Sequence, residues 1–377
     1  MNNEERFQLI KRNTEEIIGE EELKKMIEEG EPLKHYIGFE ISGKIHLGTG
    51  LMSMLKVKDF IDAGVNCTIF LADWHTWIND KLGGNPNNIK KIALGYFKEG
   101  MIASLKCVGG NPKKLNFVLG TDLYHNNDTY WETVIDISKH TTLSRIQRSI
   151  TILGRKEEGN VDFAKLIYPP MQVADIFIQG VNLAHAGLDQ RKAQVIAIDV
   201  APKLSFFPLL NKKGEQIKPV AVHHKLILGL GKPPEWPVKK ENLQELWSSL
   251  KMSKSKPDTC IFVHDSPDEI KRKISKAFCQ EKEVEFNPIL DWVKSLIFPI
   301  KEKLLIKREE KFGGDVLYKD YKRLEEDFAS GKLHPTDLKN SVADSLIEIL
   351  EPARNHFSKG APKKALDELN NLLNEFS

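Results

Sequence analysis

The sequence has few cysteines, no long apolar segment and almost no net charge. Its four cysteines among 377 residues form no Cys-x-x-Cys pair, which argues against a zinc motif or a disulfide framework and fits a reducing compartment. No apolar run approaches the roughly 18 residues of a membrane span, and the first residues include no apolar signal segment. With a formal net charge of +2, any polyanionic partner must bind to local basic patches. These absences predict a cytoplasmic protein without zinc and without membrane contact.

Strands alternate with helices in the first two thirds of the chain. The pattern predicts short buried strands at 35–40, 66–73, 114–120 and 181–187, with helices at 20–29, 47–63, 87–107 and through 128–153. Such alternation is typical of an α/β fold with a Rossmann-like parallel sheet and helices on both faces.

The composition changes near residues 231–257, where a proline-rich stretch precedes a lysine-rich one. From Ser266 onward the pattern is mostly helical, with Ser266 as an N-cap and Pro267 in the first turn. Further helices are predicted at 319–330, 337–352 and 363–376. We therefore expect a catalytic domain at 1–257 and an α-helical domain at 258–377.

The first strand-to-helix turn allows two interpretations. Gly48, Gly50 and Ser53 nearly match G-x-G-x-x-G, with Asp73 ending the next strand, which would indicate a dinucleotide site. Alternatively, His46 donates to a phosphate at the helix N-terminus, and Gly48 lets a purine approach the backbone. On its own, His46 is also explained as a capping or packing residue. No Walker sequence occurs, so a P-loop hydrolase is not indicated.

A loop with the sequence Lys-Met-Ser-Lys-Ser-Lys-Pro occupies residues 251–257. Two unit charges about 4 Å apart repel by roughly 1 kcal/mol in water, and by more where water is excluded. A solvated basic loop is one explanation. The other is that a dense anion binds the loop during part of a working cycle.

The His46–Thr49 sequence His-Leu-Gly-Thr, followed some 200 residues later by Lys-Met-Ser-Lys-Ser, resembles the paired signature of class I aminoacyl-tRNA synthetases. Thr49 departs from the family, which usually has a second His there, so we expect an altered phosphate contact rather than lost activity. The segments at 35–48, 166–176, 187–192, 311–315 and 333–340 resemble tyrosyl-tRNA synthetases of the archaeal and eukaryotic type. The resemblance covers nearly the whole chain and implies a tyrosine–tRNA ligase with a C-terminal anticodon-binding domain.

The resemblance also implies a tyrosine site. Tyr36 and Asp175 would receive the phenolic hydroxyl, while Tyr168, Gln172 and Gln190 would hold the α-amino group. The spacing of Tyr168, Gln172 and Asp175 (i, i+4, i+7) independently places them on one helix face. A structural polar network is the alternative. An unpaired buried polar group costs about 1–3 kcal/mol, so we expect the substrate hydroxyl to be the partner of this pair.

By the same resemblance, His46, Thr49, Lys251 and Lys254 would act in catalysis, the lysines on the pyrophosphate. ATP would contact residues of the first strand-to-helix region, the Gly187–Asp189 segment and the lysine loop: Gly38, His46, Gly48, Gly187, Asp189, Lys251, Met252, Ser253, Lys254 and Ser255. Asp189 would bind the ribose; a plain helix N-cap is the alternative, and both roles can coexist. Ala72, Asp73 and His75 would line the rim or merely end a strand. Mg²⁺ is expected with the ATP phosphates, although no carboxylate cage is visible.

For tRNA(Tyr), the basic segment 138–156 contains no acidic residue, although a solvated helix face explains it too. The resemblance implies acceptor contacts by Arg148 and Arg191 and anticodon contacts by Phe312, His334 and Asp337; alone, Asp337 has the pattern of a helix N-cap. It also implies a homodimer formed through an insertion at roughly 111–165. The alternatives are a tryptophanyl-tRNA synthetase, a catalytically inactive RNA-binding relative, and a nicotinamide-dependent dehydrogenase.

Overall fold

A computed structural model describes residues 1–154, 162–236, 238 and 250–375. None of the helices in these ranges is both long and apolar enough to span a bilayer. One apolar core extends from the N-terminal helix to the last helices, and a second lies beside the sheet.

The described residues contain a six-stranded sheet with strand order β1-β6-β5-β2-β3-β4. All neighbouring strands are parallel except β1, which pairs antiparallel with β6 at one edge. The strands are β1 (Glu16–Ile18), β2 (Lys34–Phe39), β3 (Asn66–Leu71), β4 (Leu115–Leu119), β5 (Leu183–Gly187) and β6 (Val220–His224). The predicted parallel sheet is thus confirmed, as are its four predicted strands.

The two strands β1 and β6 were not predicted. β6 is buried along its whole length and reads Val-Ala-Val-His-His, so its two histidines obscure an apolar run. β1 has only three residues, all partly exposed. Both strands depend on pairing with distant segments rather than on a local pattern.

Helices cover both faces of the sheet. Helix 20–29 is confirmed as Glu20–Glu28. The segments 47–63 and 87–107 are helical as predicted, each with a π-helical part, and 128–153 contains the predicted succession of helices. The α-helices before β6 are Asn3–Lys11, Glu20–Glu28, Ser53–Asp62, Asp73–Ile78, Pro86–Ile92, Lys98–Cys107, Gly120–Tyr124, Asp128–Lys139, Leu143–Ser149, Phe163–Ile178 and Arg191–Val200. π-Helical turns precede two of them at Gly48–Met52 and Ala93–Phe97, and 3₁₀ turns lie at Lys81–Gly84, Pro112–Lys114, Ile150–Leu153, Leu188–Gln190 and Ala201–Lys203.

The C-terminal part is mostly helical, and the predicted N-cap is confirmed, because the Ser266 side chain accepts from the amide of Glu269. Its helices are Pro267–Ser275, Pro288–Trp292, Phe298–Lys301, Tyr321–Ala329, Pro335–Ile349, Glu351–His356 and Gly360–Asn374, with a π turn at Val293–Ile297 and 3₁₀ turns at Pro257–Thr259 and Glu310–Phe312. It also contains an unpredicted antiparallel pair of strands, β7 (Leu304–Ile306) and β8 (Val316–Tyr318).

The backbone directly after the lysine loop is tied to the His46 turn. The amide of Leu47 donates to the carbonyl of Ile261 (3.0 Å), and that of Val263 donates to Ile45 (3.0 Å). Gly50 makes this contact possible, because a Cβ at this position would lie 2.8 Å from Val263 and 2.7 Å from Ser104. The two motifs, some 200 residues apart, are therefore neighbours in space.

Candidate active site

A cavity of about 300 Å³ opens at the carboxyl ends of the parallel strands. The chain runs from β2 outward to β3 and β4, then returns to β5 on the other side of β2. Ligands of such sheets bind where the strand order reverses in this way. Most of the predicted tyrosine and ATP residues line the cavity: Tyr36, Gly38, His46, Gly48, Thr49, Tyr168, Gln172, Asp175, Gly187, Asp189, Gln190, Lys251 and Met252.

Helix Phe163–Ile178 supplies one wall of the cavity. Asp162 begins the helix by accepting from the amide of Lys165. Tyr168, Gln172 and Asp175 all line the cavity from this helix, so the predicted common face is confirmed. Side chains at these spacings share a face because an α-helix has 3.6 residues per turn.

Asp175 is held by two tyrosines that the sequence analysis did not identify. The hydroxyls of Tyr124 and Tyr130 donate to the same oxygen, Oδ1, at 3.0 and 3.1 Å. Burial raises the pKa of Asp175 well above its usual value, and these two bonds oppose the rise. Asp175 thus has two protein partners that the sequence did not indicate, and its predicted contact with the substrate hydroxyl stays a prediction. The carboxylate is already fixed through one oxygen, and Oδ2 remains, with His75 Nε2 3.8 Å away.

Tyr36 lines the cavity from β2 and is 3% exposed. Burial raises the pKa of its hydroxyl far above the usual value, and the charge of Asp175 adds to the rise. The hydroxyl therefore keeps its proton and is a hydrogen-bond donor. A donor beside a carboxylate matches a ligand hydroxyl, which accepts one hydrogen bond and donates another.

A second polar group in the cavity surrounds Gln172. Its Nε2 donates to Gln190 Oε1 (3.3 Å), and Gln190 Nε2 donates to the carbonyl of Ile152 (3.0 Å). These bonds turn Gln172 Oε1 away from Gln190, and this buried oxygen has no hydrogen-bond partner within the described ranges. An unpaired buried acceptor in a ligand cavity is suited to an ammonium group.

Glu40 is a site residue that the sequence analysis missed. It follows β2, lines the cavity, and accepts from the Tyr168 hydroxyl (2.9 Å) and from Asn79 (2.8 Å). Burial raises the pKa of Glu40, and Lys81 and Lys254 partly offset the rise. Its place at the carboxyl end of a central parallel strand was the available sequence signal.

The rim residues separate into two groups. Ala72 and His75 line the cavity, whereas Asp73 does not. Asp73 Oδ1 instead accepts from the amides of Trp74 (3.0 Å) and Thr121 (2.9 Å), which joins the end of β3 to the short helix Gly120–Tyr124 after β4. Burial lowers the pKa of His75 to about 3, so its ring is neutral and packs edge-on against Tyr168 at 4.4 Å.

The tautomer of His46 follows from its contacts. Its Nδ1 accepts from the amides of Gly48 (3.1 Å) and Thr49 (3.3 Å), so the ring proton lies on Nε2, 3.3 Å from the Thr49 hydroxyl. Burial, together with the charges of Lys254 and Lys251, lowers the pKa of His46 to about 3. A Cβ on Gly48 would lie 3.1 Å from this ring. His46 is thus a neutral donor on the cavity wall, and Thr49 extends its hydrogen bond.

The two predicted catalytic lysines have partners in the cavity region. Lys251 Nζ donates to Asp189 Oδ2 (2.6 Å), and Lys254 Nζ donates to the hydroxyl of Ser42. The N-cap explanation of Asp189 is wrong, because Gly187 and Gln190 hold the cap positions of the two helical segments there. Burial lowers the pKa of Lys254 to about 8.

The serines of the loop contact each other rather than the cavity. Ser253 and Ser255 share a hydrogen bond of 2.9 Å, and neither these serines nor Lys254 is among the cavity-lining residues. Of the loop residues predicted to contact ATP, only Lys251 and Met252 line the cavity in this structure.

Residues 28–351 match the family model of class I tRNA synthetases for tryptophan and tyrosine (W and Y). The chain belongs to this family. It is 57% identical to the tyrosine–tRNA ligase of Pyrococcus abyssi and 58% identical to that of Thermococcus kodakarensis, covering 95% of this chain and 96% of each relative. It resembles the crystal structure of tyrosyl-tRNA synthetase complexed with L-tyrosine from Pyrococcus horikoshii, with a TM-score of 0.95 at 55% identity, covering 98% of this chain and 100% of that one.

The predicted tRNA residues of this synthetase lie outside the cavity. Arg191 is exposed beside it, and its guanidinium donates three hydrogen bonds of 2.8–3.1 Å to Glu16. Arg148 is exposed at the end of helix Leu143–Ser149, and its carbonyl accepts from Lys192 (2.7 Å), so the two arginines lie on neighbouring elements. Residues 155 and 156 of the basic segment lie outside the described ranges.

The C-terminal residues lie near the β7–β8 hairpin. Phe312 is 62% exposed between the two strands. His334, not Asp337, is the N-cap of helix Pro335–Ile349; Asp337 lies in its first turn, so the cap pattern was assigned to the wrong residue. Arg308 donates to the carbonyls of Gly314 (2.7 Å) and Lys332 (3.0 Å), which ties the Phe312 loop to the start of this helix.

Proposed function

We propose that this protein activates L-tyrosine with ATP, forming tyrosyl-adenylate and pyrophosphate, and then transfers the tyrosine to the 3′-terminal adenosine of tRNA(Tyr). Its relatives over nearly the whole chain are named tyrosine–tRNA ligases. This synthetase activity serves protein synthesis, and we infer a cytoplasmic location.

The phenol-binding pair carries the assignment of the amino acid. Tyr124 and Tyr130 occupy Oδ1 of Asp175, which leaves Oδ2 to accept the substrate O–H while Tyr36 donates to the substrate oxygen. Phenylalanine offers neither group. The indole of tryptophan offers only an N–H donor, so it would leave the Tyr36 hydroxyl without an acceptor. This pattern favours tyrosine over the tryptophanyl alternative.

The rest of the amino acid is held by the second polar group. Its ammonium donates to the unpaired Oε1 of Gln172 and to Tyr168, whose hydroxyl oxygen remains an acceptor while its proton bonds Glu40. The negative charge of Glu40 stabilises the ammonium. The substrate carboxylate then faces the His46 turn and the lysine loop, where the phosphates bind.

The first step needs no protein base, because the tyrosine carboxylate is a nucleophile at neutral pH. It attacks the α-phosphorus, and the bond to the bridging oxygen of pyrophosphate breaks. His46 Nε2–H and the Thr49 hydroxyl donate to phosphate oxygens, so the threonine takes the place of the second family histidine. Lys251 and Lys254 stabilise the charge that develops on pyrophosphate. Contacts made in the transition state raise kcat rather than only lowering KM.

Mg²⁺ enters this scheme only with the nucleotide. The described part of the chain contains no cluster of three or more His, Cys, Asp or Glu side chains that would hold a metal ion. We therefore propose that Mg²⁺ arrives coordinated by the ATP phosphates, as is common for this ion, and we assign no protein ligand to it.

For tRNA, the exposed Arg148 and Arg191 lie beside the cavity, where the acceptor end must enter. In this proposal Phe312, which is exposed, stacks on an anticodon base, and the Asp337 carboxylate accepts from base N–H groups, with His334 contributing beside it. We propose that residues 1–257 form the catalytic domain and 258–377 the anticodon-binding domain.

We also propose a homodimer through the 111–165 region. Three apolar side chains there are widely exposed: Ile135 (68%), Leu143 (61%) and Phe163 (75%). They come from helices that pack against one another, and large exposed apolar side chains are candidates for an interface. Sedimentation should give a dimer mass, and Ile135→Lys should shift it toward the monomer; a monomeric wild-type protein would contradict the proposal.

The activity is tested by ATP–pyrophosphate exchange with tyrosine, phenylalanine and tryptophan in parallel. Exchange with tyrosine alone, followed by charging of tRNA(Tyr), supports the proposal. Exchange with tryptophan would instead indicate a tryptophanyl-tRNA synthetase. No exchange with any of them would leave an RNA-binding relative without catalysis.

A further inference from the structure

Three buried histidines form a hydrogen-bonded chain that ends in the cavity. His35 on β2, His185 on β5 and His224 on β6 are each at most 5% exposed. His35 Nε2 lies 3.0 Å from His185 Nδ1, and His185 Nε2 lies 2.8 Å from His224 Nδ1. His224 lines the cavity. None of these residues belongs to the two signature motifs or to the tyrosine site.

The chain has a direction, because its rings are neutral. Burial lowers the pKa of His35 to about 3 and that of His224 to about 4, and it lowers the pKa of His185 well below its usual value. A neutral imidazole has one N–H and one lone pair, so all three rings must donate the same way. Either every Nε2 carries the proton and His224 presents a donor to the cavity, or every Nδ1 carries it and His224 presents an acceptor.

The two ends of the chain favour the first arrangement. His35 Nδ1 is buried without a hydrogen-bond partner among the described residues, and Lys56, itself 0% exposed, acts electrostatically on all three rings. A lone pair on Nδ1 is attracted to this cation, whereas an N–H would be repelled. At the other end, the Asp189 carboxylate favours protons that point toward it.

The cavity end of the chain meets the proposed ribose acid above Gly187. A Cβ built on Gly187 would lie 2.8 Å from Asp189 Oδ1 and 3.5 Å from His224 Nε2. An acceptor and a donor therefore flank one small space that only a glycine leaves open. Two neighbouring hydroxyls fit such a pair, because one donates to the carboxylate and the other accepts from the N–H.

We propose that His224 binds the ribose of the nucleotide together with Asp189, and that His185 and His35 act as positioning residues which keep its Nε2–H directed into the cavity. The proposal rests on the nucleotide use of the proposed function. It assigns the three hydrogen-bonded histidines a role in ATP recognition, separate from the recognition of tyrosine.

Steady-state exchange with ATP, 2′-deoxy-ATP and 3′-deoxy-ATP tests the contact. For His224→Leu we expect the KM for ATP to rise about threefold to tenfold, as for one lost hydrogen bond, with the KM for tyrosine unchanged. For the wild-type protein, one of the two deoxy nucleotides should have a KM higher than that of ATP by a similar factor. In His224→Leu the KM for this deoxy nucleotide should not rise further, because the contact is already absent. If the variant keeps both deoxy penalties in full, His224 does not contact the ribose and the proposal is refuted.

Two variants separate the chain from general packing. His35→Phe removes the far donor, so we expect a smaller rise in the KM for ATP and no change for tyrosine. His223→Phe is the matched control, because His223 is an equally buried neighbour on β6 whose side chain points to the other face, where it pairs with Glu16 (3.0 Å) and not with the three histidines. Equal effects of the two variants on the KM for ATP would overturn the positioning role.

The tautomers can be read in the unmodified protein by long-range ¹H–¹⁵N correlation of labelled histidines. Protonated Nε2 in all three rings supports the proposal, and protonated Nδ1 in His224 overturns it even if the variants fail to fold. Wild-type protein without tyrosine-dependent exchange would refute the proposed function instead. The ribose contact would then be decided by calorimetric titration with the same three nucleotides.

Discussion

Removing one of the two tyrosines that bind Asp175 should move the pH dependence of tyrosine activation. Tyr124→Phe and Tyr130→Phe each delete one donor to Oδ1 and leave the other in place. Both hydrogen bonds favour the charged carboxylate and so lower its pKa against the larger effect of burial. Each deletion therefore raises the pKa of Asp175.

The size of the shift follows from the strength of the lost bond. A hydrogen bond to a charged group contributes about 1.5–3 kcal/mol, and one pKa unit corresponds to about 1.4 kcal/mol. With the second donor still present, we expect the lower end, about one unit. The acid limb of kcat/KM for tyrosine should move up by about one pH unit, because only ionised Asp175 accepts the phenol O–H.

The assay is pyrophosphate exchange between pH 5 and 9, with tyrosine varied at saturating ATP and then the reverse. The limb for ATP should stay in place. Tyr318→Phe is the matched control, since Tyr318 also donates to a carboxylate, Asp327 (2.8 Å), far from the cavity. The reasoning would be refuted if the acid limb of kcat/KM for tyrosine stayed fixed or moved to lower pH in both Tyr124→Phe and Tyr130→Phe.

The same shift has a stability counterpart with a definite sign. Because burial raises the folded pKa of Asp175 above its unfolded value, the stability it contributes is complete below the unfolded pKa and is lost as pH rises through the folded one. The destabilisation by Tyr124→Phe should therefore be larger at neutral than at acid pH in denaturant titrations. An equal loss at both would mean that the bond stabilises packing rather than the charge.

Three further predictions concern other parts of the site. Lys254→Ala should lower kcat of exchange about 10²- to 10³-fold with little change in tyrosine binding, whereas Lys256→Ala, at an exposed position of the same loop, should leave kcat unchanged. Because burial lowers the pKa of Lys254 to about 8, wild-type kcat/KM for ATP should fall above that pH. A flat alkaline profile would contradict this role of Lys254. Glu40→Gln should raise the KM for tyrosine about tenfold but leave that for ATP, since the ammonium loses a carboxylate; equal changes in both would contradict it. Phe312→Ala should raise the KM for tRNA in charging and leave exchange unaffected, so a loss of exchange would refute a purely anticodon role.

The sequence predicted those parts of the molecule that local patterns encode. The alternation of strands and helices predicted the parallel sheet, and the spacing of Tyr168, Gln172 and Asp175 predicted one cavity-facing helix face. Tyr124 and Tyr130 could not be found this way, because the segment after β4 reaches Asp175 only through packing against helix Phe163–Ile178. No local period reports such a contact.

The histidines were hidden for a different reason. His35 and His185 lie in the apolar strands β2 and β5. His224 ends β6, which the sequence pattern does not indicate as a strand because two of its five residues are histidines. The three rings come into contact only because β2, β5 and β6 are neighbours in the sheet, although these strands are far apart in the sequence. A sequence analysis that treats each strand separately has no means of placing three rings in one line.

The arrangement of the lysine loop suggests how nucleotide binding prepares catalysis. Lys251 Nζ donates to Oδ2 of Asp189 at 2.6 Å, and Asp189 is the acid to which we assign the ribose. When ribose hydroxyls donate to this carboxylate, they compete with Lys251 for its oxygens. Such competition would free Lys251 to contact the phosphates of the bound nucleotide. One carboxylate would thus hold either the cation or the ribose, which would couple nucleotide binding to the positive charge that pyrophosphate departure needs.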